Sequence, residues 1–163
     1  MSDPKHLDVT NALVRVLSRI GEAEGDNYTP ERVGVSLFPI DSYLVGTHVI
    51  LVRPGATAVI EQTTETVQED ALYTVTVARR HEQGSENPWE TPLPRRDEVV
   101  DRAVDDVVGA LLDDPTLKAG GTTSTVENVA AEEIAVNRDM PHESWAMAEI
   151  TFTCRYNYQR SPE

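Results

Sequence analysis

The spacing of apolar residues predicts an amphipathic helix near the start of the chain. Within residues 7–20, five apolar side chains recur at the helical period of about 3.6 residues and share one face: Val9, Leu13, Val16, Leu17 and Ile20. Asp8 is a candidate N-cap because its carboxylate can accept a hydrogen bond from a free N–H of the first turn. Gly21 is a candidate C-terminal stop.

A second helix is predicted over residues 96–112, where the apolar face is broader. It is formed by Val100, Ala103, Val104, Val107, Val108, Leu111 and Leu112. Asp113-Asp114-Pro115 should end this helix, since the residue before a proline avoids the α conformation. The opposite face carries Asp101, Asp105 and Asp106, which are candidates for an acidic surface.

Alternating and β-branched stretches predict an up-and-down meander in the middle of the chain, after a short strand within residues 33–40. Its strands cover residues 44–53, 56–67 and 71–80, and Pro54-Gly55 marks a turn between the first two. The far half of the second strand, Glu61 to Thr66, is almost wholly polar. We therefore expect it to project from the body or to lie at a sheet edge.

The C-terminal part of the chain predicts an antiparallel hairpin. Thr122 to Asn137 reads as a long strand and Ser144 to Tyr158 as its partner, with Ala146 through Tyr158 alternating onto one apolar face. The order is helix, meander, helix, hairpin. It predicts a single α+β domain over residues 1–163, with a mainly antiparallel sheet and both helices packed on one face.

Residues 81–95 contain three prolines and no periodicity, and they predict an extended loop. Pro88, Trp89 and Pro92 are candidate assembly contacts, because a restrained loop loses less entropy on docking and tryptophan often anchors interfaces. The alternative is that Trp89 folds back onto the body of the domain.

The chain is strongly acidic, with a formal net charge of −14. A surface of this sign repels phosphate and disfavours gripping or reading nucleic acid. Two interpretations stay open: the acidity suits a wall past which DNA slides, or it suits a high-salt host. The N-terminal residues lack the apolar stretch of a secretory signal, and no apolar run is long enough to span a membrane.

Sequence motifs for catalysis, cofactors or metals are not found, so we expect no enzymatic activity, no cofactor and no metal site. The four histidines, His6, His48, His81 and His142, show no metal-ligand spacing. Cys154 is the single cysteine and reads as a small buried residue on a strand. Gly120-Gly121-Thr122-Thr123 could cradle an anion, but no helix is predicted to follow, so a plain loop is favoured.

Several segments resemble the tail terminator proteins of long-tailed viruses. The matching pieces are Val9-Thr10-Asn11-Ala12-Leu13-Val14, Tyr73-Thr74-Val75-Thr76-Val77, the helix Asp97 to Leu112 with Asp113-Asp114-Pro115-Thr116-Leu117 after it, and the closing segment Ala148 to Tyr156. The resemblance is one of architecture and covers most of the chain. The loop at 81–95 and the polar segment 61–70 depart from it.

This resemblance implies a structural virion protein that forms a homo-hexameric ring, assembled in the host cytoplasm. One side of the ring would meet the tail tube protein and the other the head–neck connector, while DNA passes through the centre. The family has no catalytic residues to carry over. Three alternatives stay open: another head–tail connector or neck subunit, a small non-viral enzyme or ligand-binding α+β domain, and a host adaptor protein with no role in the virion.

Overall fold

The computed structural model describes residues 5–22, 29–36, 39–80, 93–129, 133–138, 140, 142 and 145–159, with the backbone alone for residues 93–99. Two α-helices, six strands and one short 3-10 helix lie in these ranges. In chain order they are α1 (Lys5–Ser18), β1 (Arg32–Val35), the 3-10 helix (Ile40–Tyr43), β2 (His48–Gln62), β3 (Thr66–Arg80), α2 (Leu93–Asp113), β4 (Asn128–Val129), β5 (Ala135–Asn137) and β6 (Trp145–Gln159).

Both helices lie where the apolar period predicts them, with shifted ends. Because α1 begins at Lys5, Asp8 lies within its first turn and is not the N-cap. Gly21 follows the helix with φ of 97°, and a Cβ atom there would lie 2.6 Å from the Thr29 hydroxyl oxygen, so only glycine fits. At α2, residues 93–95 of the predicted loop are helical instead, and Pro94 is tolerated in the first turn.

The expected fold class is wrong, because the six-stranded sheet is mixed and the β-strands do not form a simple meander. The strand order is β1-β2-β3-β6-β4, and β5 also pairs with β6. β1 pairs with β2 in parallel, while the remaining pairs are antiparallel. A parallel neighbour needs a crossover rather than a tight turn, and the chain between β1 and β2 includes the 3-10 helix.

The turn predicted at Pro54-Gly55 is also wrong, since β2 runs through both residues as one strand. β1 pairs only with Val49 to Val52, so Pro54 lies where no described strand flanks β2 on that side and its missing N–H is tolerated. The register with β3 shifts between Pro54 and Thr57. Gly55 fits this shift, because a Cβ atom there would lie 3.0 Å from the carbonyl oxygen of Leu72.

The predicted strand over Thr122 to Asn137 is wrong as one long strand, although its predicted antiparallel pairing with the C-terminal strand is present at two short strands. Among the described residues of this segment, Asn128–Val129 and Ala135–Asn137 are the stretches that pair with β6. Residues 121–127 form bends and loop, with Val126 buried. The principal partner of β6 is β3, which pairs with it from Arg80↔Trp145 to Thr66↔Gln159.

The main core lies between the two helices and one face of the sheet. It includes Leu13 and Leu17 of α1, Val104 and Leu111 of α2, and alternate residues of β2, β3 and β6 such as Phe152. A smaller cluster lies on the opposite face at one end of the sheet, formed by Val49, Ala78, Trp145 and Met147, with Ile40, Leu44 and Met140 packed against it. The rest of that opposite face has no helix over it among the described residues.

Candidate assembly surface

Beyond Val52, strands β2, β3 and β6 continue side by side to one end of the sheet. We call residues 53–72 of the β2–β3 hairpin, together with residues 153–159 of β6, the arm. None of residues 53–62 is buried. The hairpin closes at Thr63, whose N–H donates to the Thr66 carbonyl at 2.9 Å and whose hydroxyl accepts the Thr66 N–H at 2.9 Å. Residues 61–66 are exposed, and no described strand flanks β2 beyond Val52, so the alternative that this polar segment lies at a sheet edge is confirmed.

The arm exposes apolar side chains that the sequence pattern did not single out. Val59 is 56% exposed and Ile60 is 48% exposed, and they are consecutive. Leu72, at the base of the arm, is 40% exposed. A β-bulge falls between Val59 and Glu61, so Ile60 has no direct partner on β3. Adjacent exposed Val and Ile on a strand are typical of a contact surface more than of a solvated one.

One edge of the arm is open. β2 pairs with β3 along its whole length, but on its other side β1 pairs only as far as Val52. Beyond Val52, no strand in the described part of the chain pairs with this edge. Backbone N–H and C=O groups of an open edge are available for pairing with another chain. The open backbone edge and the exposed Val59–Ile60 pair therefore lie on the same part of β2, where another chain could contact both.

The other half of the arm is cross-linked by side chains. The Glu69 carboxylate of β3 accepts hydrogen bonds from the Tyr156 hydroxyl at 2.8 Å and from the Tyr158 hydroxyl at 2.9 Å. Burial, and then the hydrogen bond to Glu69, raise the pKa of Tyr156 above its usual range, so the phenol stays protonated and donates. We call these three residues the carboxylate clamp.

Polar side chains also join the strands on the opposite face of the arm. Arg155 of β6 donates two hydrogen bonds to the Asp70 carboxylate of β3, at 2.8 and 3.0 Å. Glu127 accepts from the Gln68 amide at 3.0 Å and from the Asn157 amide. Bonds on both faces hold β3 and β6 together as a rigid support for the open β2 edge.

The residues proposed from the sequence as contacts are not part of the arm. Pro88, Trp89 and Pro92 lie outside the described residues. Asp101 is exposed on α2 and forms an ion pair with Arg138, with 2.8 Å between its Oδ1 and the arginine Nε. Asp105 and Asp106 line a separate groove of about 670 Å³ between α1, α2 and the loop that follows α2. The acidic surface proposed from these three residues stays a prediction.

His6 and His142 contact residues outside the arm, whereas Cys154 belongs to the arm. The ring of His6 stacks on Tyr73 with 5.6 Å between centroids, and His142 Nε2 lies 3.2 Å from Asp41 Oδ1. In the described ranges, no group of three or more His, Cys, Asp or Glu residues is arranged to hold a metal ion. Cys154 is fully buried in the main core, and burial raises the pKa of its thiol to about 12.

No protein-family model matches this chain, and no curated protein matches it. Among the helices that the structure describes, none has the length and apolar character needed to cross a membrane.

Proposed function

We propose that this chain is an assembly subunit of a viral particle, a tail terminator of the kind that its sequence resembles. In this proposal, six copies form a ring that binds the tail tube protein on one side and the head–neck connector on the other. DNA passes through the centre without being held. The arm, with its open edge and exposed Val59–Ile60 pair, carries the proposal.

Three properties of the arm support a role in assembly. Its backbone edge offers hydrogen-bonding groups in a regular row, which is how an added strand gains affinity. Its apolar pair offers surface whose burial is favourable. Its carboxylate clamp and the Asp70–Arg155 ion pair hold it in shape before docking, so little conformational entropy is lost when it binds.

In the proposed ring, the arm of one copy contacts a different surface of the next copy. In a symmetric dimer, the two arms would instead contact each other. A head-to-tail contact of the first kind closes into a ring if the rotation is right. The net charge of −14 per chain opposes this association through repulsion between copies. Ring formation should therefore be favoured by salt, which screens the repulsion between exposed charges.

The test is the mass of the assembled particle by sedimentation velocity, over a range of protein and salt concentrations. We expect a species of six times the chain mass of 18.0 kDa, increasing with salt, and six-fold rings in electron micrographs. Single chains under every condition, with no rings in the micrographs, would contradict the proposal.

A matched pair of variants assigns the contact to the arm. Ile60→Lys places a charge on the arm at a side chain that is 48% exposed, and Leu112→Lys makes the same change on α2 at one that is 50% exposed. We expect Ile60→Lys to abolish the ring and Leu112→Lys to retain it, with both variants folded by circular dichroism. Loss of the ring in both variants, or in neither, would contradict a contact through the arm.

A further inference from the structure

A second groove, of about 480 Å³, lies between α1 and the loop after α2. We call it the basic groove, because Lys5, Arg15 and Lys118 all line it. Lys5 and Lys118 are the only two lysines in a chain of net charge −14. Both are thus brought into one groove from positions far apart in the sequence.

Cations outnumber carboxylates three to one among the residues that line the basic groove. Asp8 is the only carboxylate residue that lines the groove. Within the described part of the chain, no side chain forms an ion pair with Lys5, Arg15 or Lys118. Like charges gathered in one groove repel each other, and a bound anion would relieve that repulsion. The groove thus has an excess of positive charge, whereas the chain as a whole has an excess of negative charge.

One wall of the basic groove is the polar face of α1. Lys5, Asp8 and Arg15 recur at helical spacing, and Asn11 lies between them on the same wall. The opposite side of α1 is fixed in the core by Val9, Leu13 and Leu17. The rotation of the helix, and hence the direction of its cations, is therefore set by packing.

The other wall is the loop that carries Lys118, and its backbone is tightly held. The Asp114 carboxylate accepts the N–H groups of Lys118 and Ala119, each at 2.8 Å. Leu117 and Ala119 both adopt φ of 53°, which is unfavourable for side chains larger than glycine. Leu117 is fully buried and fixes the loop to the core. Such backbone conformations persist where the surroundings impose them, and they concentrate at functional positions.

We propose that the basic groove binds a compact phosphate-containing anion, such as the diphosphate group of a small molecule. Lysine and arginine are the usual phosphate-binding residues, as point charge and as planar donor respectively. Thr123 and Ser124 line the same groove and supply hydroxyl donors. Asp8 can balance one of the three positive charges. The other two favour a ligand that carries more than one negative charge. The volume leaves room for the rest of a small ligand.

A compact anion is favoured over a nucleic-acid strand because of what adjoins the groove. The neighbouring groove shares Lys118 but is lined by Asp105, Asp106 and Asp113. A long polyanion leaving the basic groove on that side would meet these carboxylates, whereas a diphosphate would not reach past the three cations. This binding does not depend on ring formation.

The test is calorimetric titration of the intact protein with pyrophosphate, with sodium chloride adjusted to hold ionic strength constant. We expect saturable binding to one site per chain. Lys5→Gln and Lys118→Gln should each weaken it about tenfold, the effect of losing one charge-assisted hydrogen bond. Arg32→Gln is the matched control, since Arg32 is exposed at the start of β1 and lines none of the grooves described.

Unchanged affinity in Lys118→Gln, equal loss in Arg32→Gln, or no saturable binding would each overturn the proposal. Sulfate and inorganic phosphate are titrated in parallel. Weaker but Lys118-dependent binding of phosphate supports a diphosphate site, whereas equal effects of all three anions that persist in Lys118→Gln indicate a general salt effect and overturn it. A single-stranded oligonucleotide that binds more tightly than pyrophosphate, and depends on Lys118, would overturn it in favour of nucleic acid.

Discussion

Replacing Glu69 by glutamine should destabilise the protein, because Glu69 joins β3 to β6 in the carboxylate clamp. The change keeps the shape of the side chain and removes only its charge. Glutamine can still bond both hydroxyls, accepting from one and donating to the other. The geometry of the arm is therefore expected to survive, which makes the free energy of unfolding the informative quantity.

The size of the effect follows from the two hydrogen bonds of 2.8 and 2.9 Å. A bond to a charged group contributes about 1.5–3 kcal/mol and a neutral one about 0.5–1.5 kcal/mol, so neutralising Glu69 removes about 1 kcal/mol per bond. Glu69 is half-buried, so solvent screening reduces the free energy that its charge adds to the two hydrogen bonds. For the same reason, the desolvation of its carboxylate costs little. We expect a net loss of about 1–2 kcal/mol.

The assay is urea unfolding followed by circular dichroism, with the free energy extrapolated to water and an unchanged slope. Glu61→Gln is the matched control, since it makes the same change of charge at an exposed position of the arm, and it should alter stability by less than about 0.5 kcal/mol. Tyr156→Phe completes a double-mutant cycle, with an expected coupling to Glu69 of about 1 kcal/mol. The reasoning is refuted if Glu69→Gln is as stable as Glu61→Gln, or if the coupling is absent.

Four further predictions concern the core, the cysteine, the loop and DNA. Val104 is 2% exposed in the main core, so Val104→Asp should cost several kcal/mol in urea unfolding, and a parent-like midpoint would show that the helix phase is misassigned. Cys154→Ala should cost about 1–2 kcal/mol with fold and assembly intact, and the buried thiol, with its pKa raised to about 12, should react with thiol reagents only on unfolding; rapid reaction in the native state would contradict this. Trp89→Ala should impair assembly, measured by sedimentation, while leaving the melting temperature of the single chain nearly unchanged, and the reverse would place Trp89 in the core. The isolated protein should show no measurable affinity for duplex DNA at physiological salt, and tight binding that weakens steeply with salt would contradict this.

Local patterns in the sequence were sufficient where packing on a single face decides the structure. The apolar period of α1 and α2 gives the faces that enter the main core, because a helix must bury its apolar stripe. The alternation along Trp145–Gln159 likewise gives the buried face of β6. The polar residues 61–66 predicted the exposed edge of the sheet.

Pairing between distant segments was not available from local patterns. The parallel contact of β1 with β2 depends on the path of the chain between them and leaves no period in the four residues of β1. Pro54 predicts a turn in most contexts. Here β2 continues through it, because no described strand pairs with that edge and the missing N–H of proline is tolerated. The threonines and valines after Gly121 resemble a strand, but β6 has its principal partner in β3.

The basic groove was missed for a related reason. The sequence favours a plain loop at Gly120-Gly121-Thr122-Thr123, because no helix is predicted to follow it. The structure supplies a helix from elsewhere: α1, with Lys5 and Arg15, lies against this loop. Nothing local to either segment marks their meeting, although two lysines in an otherwise lysine-free acidic chain were a compositional signal that could have been weighed.

The placement of β6 beside β3 has a consequence for how the protein folds. Their paired residues are separated by 65 positions at Arg80↔Trp145 and by 93 positions at Thr66↔Gln159. Contacts between such distant positions form slowly, because a long loop must close before they contribute. Until β6 arrives, the β3 edge of the hairpin is unpaired, the β2 edge is paired only at Val49 to Val52, and the apolar face is incompletely covered. On a ribosome, this intermediate lasts at least until residue 159 has left the exit tunnel, and it is the stage at which the chain is most prone to aggregate.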